Sequence, residues 1–408
     1  MKKIFKNYKQ SIILIISIII GGLIGLIFKE KTTILSPFGD LFLNLLLVII
    51  IPLIFLTIST SIGKMKTPKR VSKILISTLF IFIITSLISV LIGYIVTRNI
   101  KLIDNDNAQI IKETLSANEE IELENINYLD KTINTISVNN FSKLLTNENI
   151  IALIVFSILF GLAINLSKEK GKKLLDVLNS ASNVVQTFIK IIMYYAPIGL
   201  GCYFASLVGT FGSTLVVGYT KTFIVYLITC IFVYFVIYSL YAFISKGKLG
   251  IKIYWKNIIP PTLTALATCS SAASIPVNTK SAKDIGVNED VADTVIPLGT
   301  SFHKDGSIIG SVFKIMFLIY LFNSPVASSK IILISLLATL LVTAVPIGGG
   351  TISEMLIITM LGFPISSLPI LTIIATIIDA PATILNVVGD TASSMMVDKI
   401  VQEKKYEK

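Results

Sequence analysis

The sequence predicts an all-α membrane protein of eight transmembrane helices and two re-entrant helical hairpins. Three observations carry that prediction. First, 53% of the 408 residues are hydrophobic and 14% are charged, with a mean hydropathy of +0.83; soluble domains carry about 25% charge. Second, apolar windows of roughly 20 residues, long enough to cross a bilayer, recur along the chain. Third, two later apolar segments are interrupted by residues that break helices: Thr268-Cys269-Ser270-Ser271-Ala272-Ala273-Ser274-Ile275-Pro276 and Ala344-Val345-Pro346-Ile347-Gly348-Gly349-Gly350-Thr351. In hydrocarbon every backbone N–H and C=O needs a partner, so irregular backbone survives there only inside protein or beside water. A pair of interrupted segments points to a solute site near the bilayer midplane.

In chain order, spans are expected near Ser11–Phe28, Leu41–Ser61, Val71–Val96, Ile150–Leu166, Leu175–Leu200, Tyr219–Ile244, Val291–Phe322 and Ile370–Lys399. The first is too long for a signal peptide and is read as a retained helix. Its Gly21, Gly22 and Gly25 suit close helix contacts. The interrupted segments, Ile258–Ile285 and Ser328–Pro364, flank the seventh span and read as hairpins that turn at Ser, Gly and Pro. Eight spans put both termini on one side. The loops on that side, Gly63–Lys73, Ser167–Lys173 and Ser245–Lys256, are lysine-rich, which makes it the cytoplasmic side of a bacterial inner membrane. The polar stretch Lys101–Asn147 then lies outside, and the two hairpins enter from opposite faces, an inverted geometry suited to alternating access.

The formal charge of +11 comes from short loops and implies no nucleic-acid partner. Cys202, Cys230 and Cys269 have no metal-type spacing and read as unpaired packing residues, and the single His303 rules against a histidine-based metal site. No cofactor is implied.

The last span carries Asp379, Thr383, Asn386 and Asp390 at steps of four, three and four. They form one stripe about 16 Å long at 1.5 Å per residue. Two carboxylates at membrane depth each cost at least a few kcal/mol unless paired or bound to cations. Pro381 frees the carbonyl of Ile377, and Gly389 is expected to admit backbone close to Asp390. In the seventh span, Pro297-Leu298-Gly299-Thr300-Ser301-Phe302-His303-Lys304-Asp305-Gly306-Ser307 implies an unwound segment with free carbonyls beside the Asp305 carboxylate. Such an oxygen-rich pocket suits a hard cation such as Na⁺. The bland reading is an internal charge network that only holds the helix.

These motifs together resemble the dicarboxylate/amino acid:cation symporter family, the glutamate-transporter homologues. The resemblance rests on Met193-Tyr194-Tyr195-Ala196-Pro197-Ile198-Gly199, Ser270-Ser271 through Pro276, Pro297-Leu298-Gly299, Asp305-Gly306-Ser307, Val345-Pro346 with its glycine run, and Asn386 with Gly389-Asp390. It implies a homotrimer in the lipid bilayer, working by an elevator mechanism and not as an enzyme. Residues 1–70 and 148–218 (spans one, two, four and five) would be scaffold, and 71–96 and 219–399 (the other spans and both hairpins) a moving transport domain. Residues 97–147 would be an extracellular loop and 400–408 a cytoplasmic tail. Asp379 would hold a substrate amino group, and Asn386 with Ser270 and Ser271 its α-carboxylate. Ser307, Ala382 and Thr383 would line the pocket, and Val345, Pro346, Gly348 and Gly349 would belong to an extracellular gate. One sodium site would match Asp390, Asn386 and the carbonyls of Gly299 and His303; another would match Asp305 with Thr85 and Ser86.

The departures from the family are equally informative. Acidic-substrate members place an arginine where this chain has Ala382, and some carry another where it has Cys269. A second substrate carboxylate would lack a guanidinium partner, so a small neutral amino acid is expected. The alternative is an acidic amino acid or dicarboxylate with Lys304 as counter-ion. The family's Asn-Met-Asp-Gly-Thr signature is here His303-Lys304-Asp305-Gly306-Ser307, and an expected tyrosine is Phe82. An ammonium about 4 Å from a sodium ion repels it by roughly 4 kcal/mol at an effective dielectric of 20. Lys304 is therefore expected to stand where relatives place a sodium ion, as counter-ion to Asp305 or Asp379, or else to turn toward water. Lys314 and Glu354 are further ionisable residues in apolar surroundings that either pair or reach water separately. Two rival classes are a membrane-embedded hydrolase using Ser270 or Ser271 with His303, and a channel or receptor on the same scaffold.

Overall fold

The computed structural model describes residues 2–63, 69–103, 137–146, 149–211, 213–340 and 350–403. Among them every regular element is helical, and the longer helices are α1 (Lys2–Phe28), α2 (Ser36–Gly63), α3 (Lys69–Asn99), α4 (Ile150–Leu166), α5 (Glu169–Phe211), α6 (Ser213–Phe232), α7 (Tyr238–Asn257), α8 (Ile259–Thr268), α9 (Ser271–Asp284), α10 (Glu289–Phe302), α11 (Asp305–Leu321), α12 (Ser328–Leu340), α13 (Gly350–Leu361) and α14 (Leu368–Glu403). Among the described residues, four stretches are long and apolar enough to cross a membrane: Ile13–Phe42, Lys73–Asn99, Leu215–Asn257 and Ile365–Gln402. The expected seventh span divides into α10 and α11.

Helix α5 packs on α1, α2 and α4, and α2 packs on α4. Gly21 and Gly25 lie where a Cβ would strike the carbonyls of Gly201 and Ala205, so α1 and α5 meet backbone to backbone, as small residues permit in membranes. The prolines inside α2, α5 and α14 (Pro52, Pro197 and Pro381) leave those helices continuous.

A second group forms around α14, which touches α3, α6 to α11 and α13. Helix α6 runs through a π turn, Val233–Ile237, into α7. Helix α7 breaks at Lys246 and at Gly247, whose φ of 61° favours glycine, and then continues to Asn257. The loop expected at Ser245–Lys256 is therefore largely helical.

The first hairpin turns at Cys269 and Ser270 alone. Cys269 is left-handed at φ 45°, and the Ser270 hydroxyl caps α9 by accepting from the Ala273 N–H at 3.3 Å. Pro276, expected to help break the helix, lies inside α9. The unwinding expected over Pro297–Ser307 shrinks likewise to His303 and Lys304, and Pro297 stays inside α10. A proline withholds one donor, and neighbouring helices can make good that loss. The second hairpin's arms, α12 and α13, pack on each other. Its tip, with Val345, Pro346, Gly348 and Gly349, lies outside the described residues.

Candidate functional site: a polar cage at the break in the seventh span

The break ends α10 at Phe302 and starts α11 at Asp305. It turns His303, Lys304 and Asp305 inward, and all three are buried. The stripe on α14 faces them. The cage rests on backbone contact at two points. A Cβ on Gly306 would collide with the Ala382 carbonyl, and one on Gly299 would collide with the Asp390 carboxylate. At Gly389 the space is taken by the Tyr238 hydroxyl and the Asp305 carboxylate, so this glycine makes room for Asp305 rather than for backbone near Asp390.

His303 is the centre of the network. Its Nδ1 lies 2.9 Å from Asp390 Oδ1. Its Nε2 lies 2.8 Å from Thr85 Oγ1 and 3.2 Å from Asp305 Oδ1. Phe82 stacks on the ring with centroids 4.3 Å apart and planes 12° from parallel. The Ser89 hydroxyl donates to Asp305 Oδ1 at 2.9 Å, and the Tyr238 hydroxyl reaches Asp305 Oδ2 at 3.3 Å and the Leu385 carbonyl at 2.9 Å. Asp390 Oδ2 is buried without a partner among the described residues.

Lys304 points inward and interacts electrostatically with Asp390 and Asp379. The contacts that join Asp305 to Asp390 are made by His303. The expectation that Lys304 turns to water fails on its burial. Asp379, next to Lys304 and the Thr383 hydroxyl, is only half-buried, whereas Asp305 and Asp390 are 0% and 1% exposed. Asn386 is held in register with the break: its Oδ1 accepts from the Ser307 N–H at 3.2 Å, and its Nδ2 donates to Ser307 Oγ at 3.0 Å. One Nδ2 hydrogen then remains.

The first hairpin is pinned to the same helix. Asn278 Nδ2 donates to the Val387 carbonyl at 2.8 Å, and its Oδ1 accepts from the Thr391 hydroxyl. Ser270 and Ser271 are half-buried at the turn. The Gly299 carbonyl accepts from the His303 N–H at 2.8 Å, and Ala382 is buried. The α3 hydroxyl on Asp305 is that of Ser89, not Ser86. Ser89 was legible, because it lies one turn after Thr85 on the same face of α3. Tyr238 gave no such signal, because the π turn before it shifts its face. Lys314 and Glu354 do pair, at 3.4 Å, and Thr372 donates to Glu354 Oε2 at 2.8 Å. No group of three or more His, Cys, Asp or Glu side chains among the described residues is arranged to hold a metal ion.

Comparison with known proteins agrees with this architecture. Residues 11–400 match the model of the sodium:dicarboxylate symporter family. A proton/sodium-glutamate symport protein of Geobacillus stearothermophilus is 27% identical over 402 residues, covering 94% of this chain and 92% of that protein. The C4-dicarboxylate transport protein of Janthinobacterium sp. (strain Marseille) is 26% identical over 97% of this chain and 90% of its own length. That of Pseudomonas syringae pv. tomato is 28% identical over 95% and 85%. An all-helical chain with apolar spans, matched along nearly its whole length, belongs to the sodium:dicarboxylate symporter family, whose members are secondary transporters and not enzymes.

Proposed function

We propose that this protein imports a small neutral amino acid, coupled to the influx of a cation, Na⁺ or H⁺, by an elevator movement in a homotrimer. Spans one, two, four and five would form the static scaffold, and the helices around α14 would travel. The observation that carries the substrate reading is the exposure of Asp379. It is the least buried of Asp305, Asp379 and Asp390, and it sits on the stripe with Thr383 and Asn386. A substrate amine would pair with Asp379. Its α-carboxylate would take the remaining Asn386 N–H and the amides at the start of α9, where the helix dipole favours an anion. Ala382 offers no charge to a second carboxylate. One positive charge entering at 100 mV supplies about 2.3 kcal/mol, and about 1.4 kcal/mol is a factor of ten in accumulation.

A second reading, an acidic amino acid or C4-dicarboxylate, has its own support: the names of the relatives, and the buried Lys304 beside Asp379. A thermal-shift screen of neutral amino acids, aspartate, glutamate and C4-dicarboxylates separates the two, because ligands of the native state raise its melting temperature. Stabilisation by neutral amino acids alone is expected. Stabilisation by a dicarboxylate lacking an amine, abolished in Lys304→Met, supports the second reading instead. Accumulation in sealed proteoliposomes under an imposed ion gradient tests the transport claim, and downhill flux without accumulation supports a channel.

A further inference from the structure

We infer that His303 is a built-in substitute for a coupling sodium ion, so that neither Asp305 nor Asp390 takes sodium in this carrier. This rests on the reading of the chain as a cation-coupled importer, and it concerns which cation is excluded.

The argument begins with hydrogens. The Thr85 hydroxyl has one hydrogen, and its oxygen lies 2.9 Å from the Ile81 carbonyl, a pure acceptor. That hydrogen is spent on the carbonyl, so the Thr85 oxygen can only accept from His303 Nε2. Nε2 therefore carries a hydrogen, directed between Thr85 and Asp305 Oδ1. On the other side, a contact of 2.9 Å between Nδ1 and Asp390 Oδ1 holds one further proton, whichever atom it is bonded to. The ring and Asp390 together thus bring to the two carboxylates the one positive charge that a bound alkali ion would bring.

The same atoms leave sodium no room. A hard cation takes several oxygens at about 2.4 Å, and a ring nitrogen is a poor substitute. Asp305 is already taken up by Ser89, Tyr238 and His303. The ring is held against movement by Phe82 on its face. The Gly299 side is filled by the Asp390 carboxylate itself. What remains open is Asp390 Oδ2, a single oxygen, with Lys304 interacting with the same carboxylate. The residues present do not fit sodium.

The test uses the purified full chain without substrate, so its outcome is separate from that of the solute screen. Melting curves are recorded in sodium, potassium and choline chloride at matched ionic strength, for the wild type and for His303→Asn and His303→Gln. The wild type is expected to melt at the same temperature in all three salts. His303→Asn, which supplies an oxygen and removes the ring, is expected to gain a sodium-specific rise of a few degrees that grows with the logarithm of sodium concentration. A merely structural role for His303 predicts lower melting temperatures with no salt discrimination. A sodium-specific rise in the wild type overturns the inference. So does a folded His303→Asn or His303→Gln that stays indifferent to sodium. If both variants fail to fold, the wild-type comparison decides alone.

Discussion

Asp379 and Asp390 lie about three turns apart on one face of α14, yet their surroundings give them different work. Asp390 is sealed behind Gly299 and His303, while Asp379 is half-open beside Thr383. Replacing Asp379 by Asn keeps the shape and removes the charge that an amine would meet. A hydrogen bond to a charged group is worth about 1.5–3 kcal/mol, so amino-acid binding is expected to weaken by about 10- to 100-fold with little change in the melting temperature of the empty protein. Competition binding against any ligand found in the solute screen measures the first, and thermal unfolding the second. Unchanged affinity would remove Asp379 from the substrate site. The spacing of the stripe made this helix face readable from the sequence. The partnership of His303 with two aspartates was not readable, because it depends on how α3 and α14 are rotated against the break. Periodicity along one helix says nothing about that rotation.

At the level of elements, Asn278 and the Lys314–Glu354 pair are among the contacts that tie the hairpins to the core. Asn278 bridges α9 to α14 through the Val387 carbonyl and Thr391. Asn278→Ala strands both partners and is expected to lower stability by about 1–3 kcal/mol, visible as a lower melting temperature in detergent. In the second hairpin, Glu354 of α13 pairs with Lys314 of α11, both buried. Lys314→Met leaves a lone carboxylate in the interior and is expected to destabilise by about 3–5 kcal/mol, whereas adding Glu354→Leu should restore much of the loss. Equal melting temperatures for the single and double variants would mean that the pair is not coupled. Hydropathy located nearly all of these elements, since a helix in lipid must be long and apolar. It overestimated the breaks, because Pro276 and Pro297 look alike in sequence whether a helix ends there or runs on. Only the neighbours that satisfy the freed carbonyls decide between the two.

For the whole molecule, the lysine-rich loops predict both termini in the cytoplasm. A reporter that works only inside the cell, fused after Glu403, is expected to be active, and a periplasm-dependent one silent. The reverse result would invert the order in which the two hairpins face the membrane. The contact pattern bears on the same scale. One group of helices locks backbone to backbone through Gly21, Gly25 and Gly201, and another surrounds α14. The π turn at Val233–Ile237 sits in the second group and ends immediately before Tyr238, whose hydroxyl reaches Asp305. An extra residue in one turn shifts all that follows by roughly 100° of rotation. Wound as plain α-helix, the same residues would carry Tyr238 about 100° further round, away from the Asp305 carboxylate and the Leu385 carbonyl that it reaches. The wide turn between Phe232 and Tyr238 is thus itself a constraint on the cage, independent of which side chains fill it.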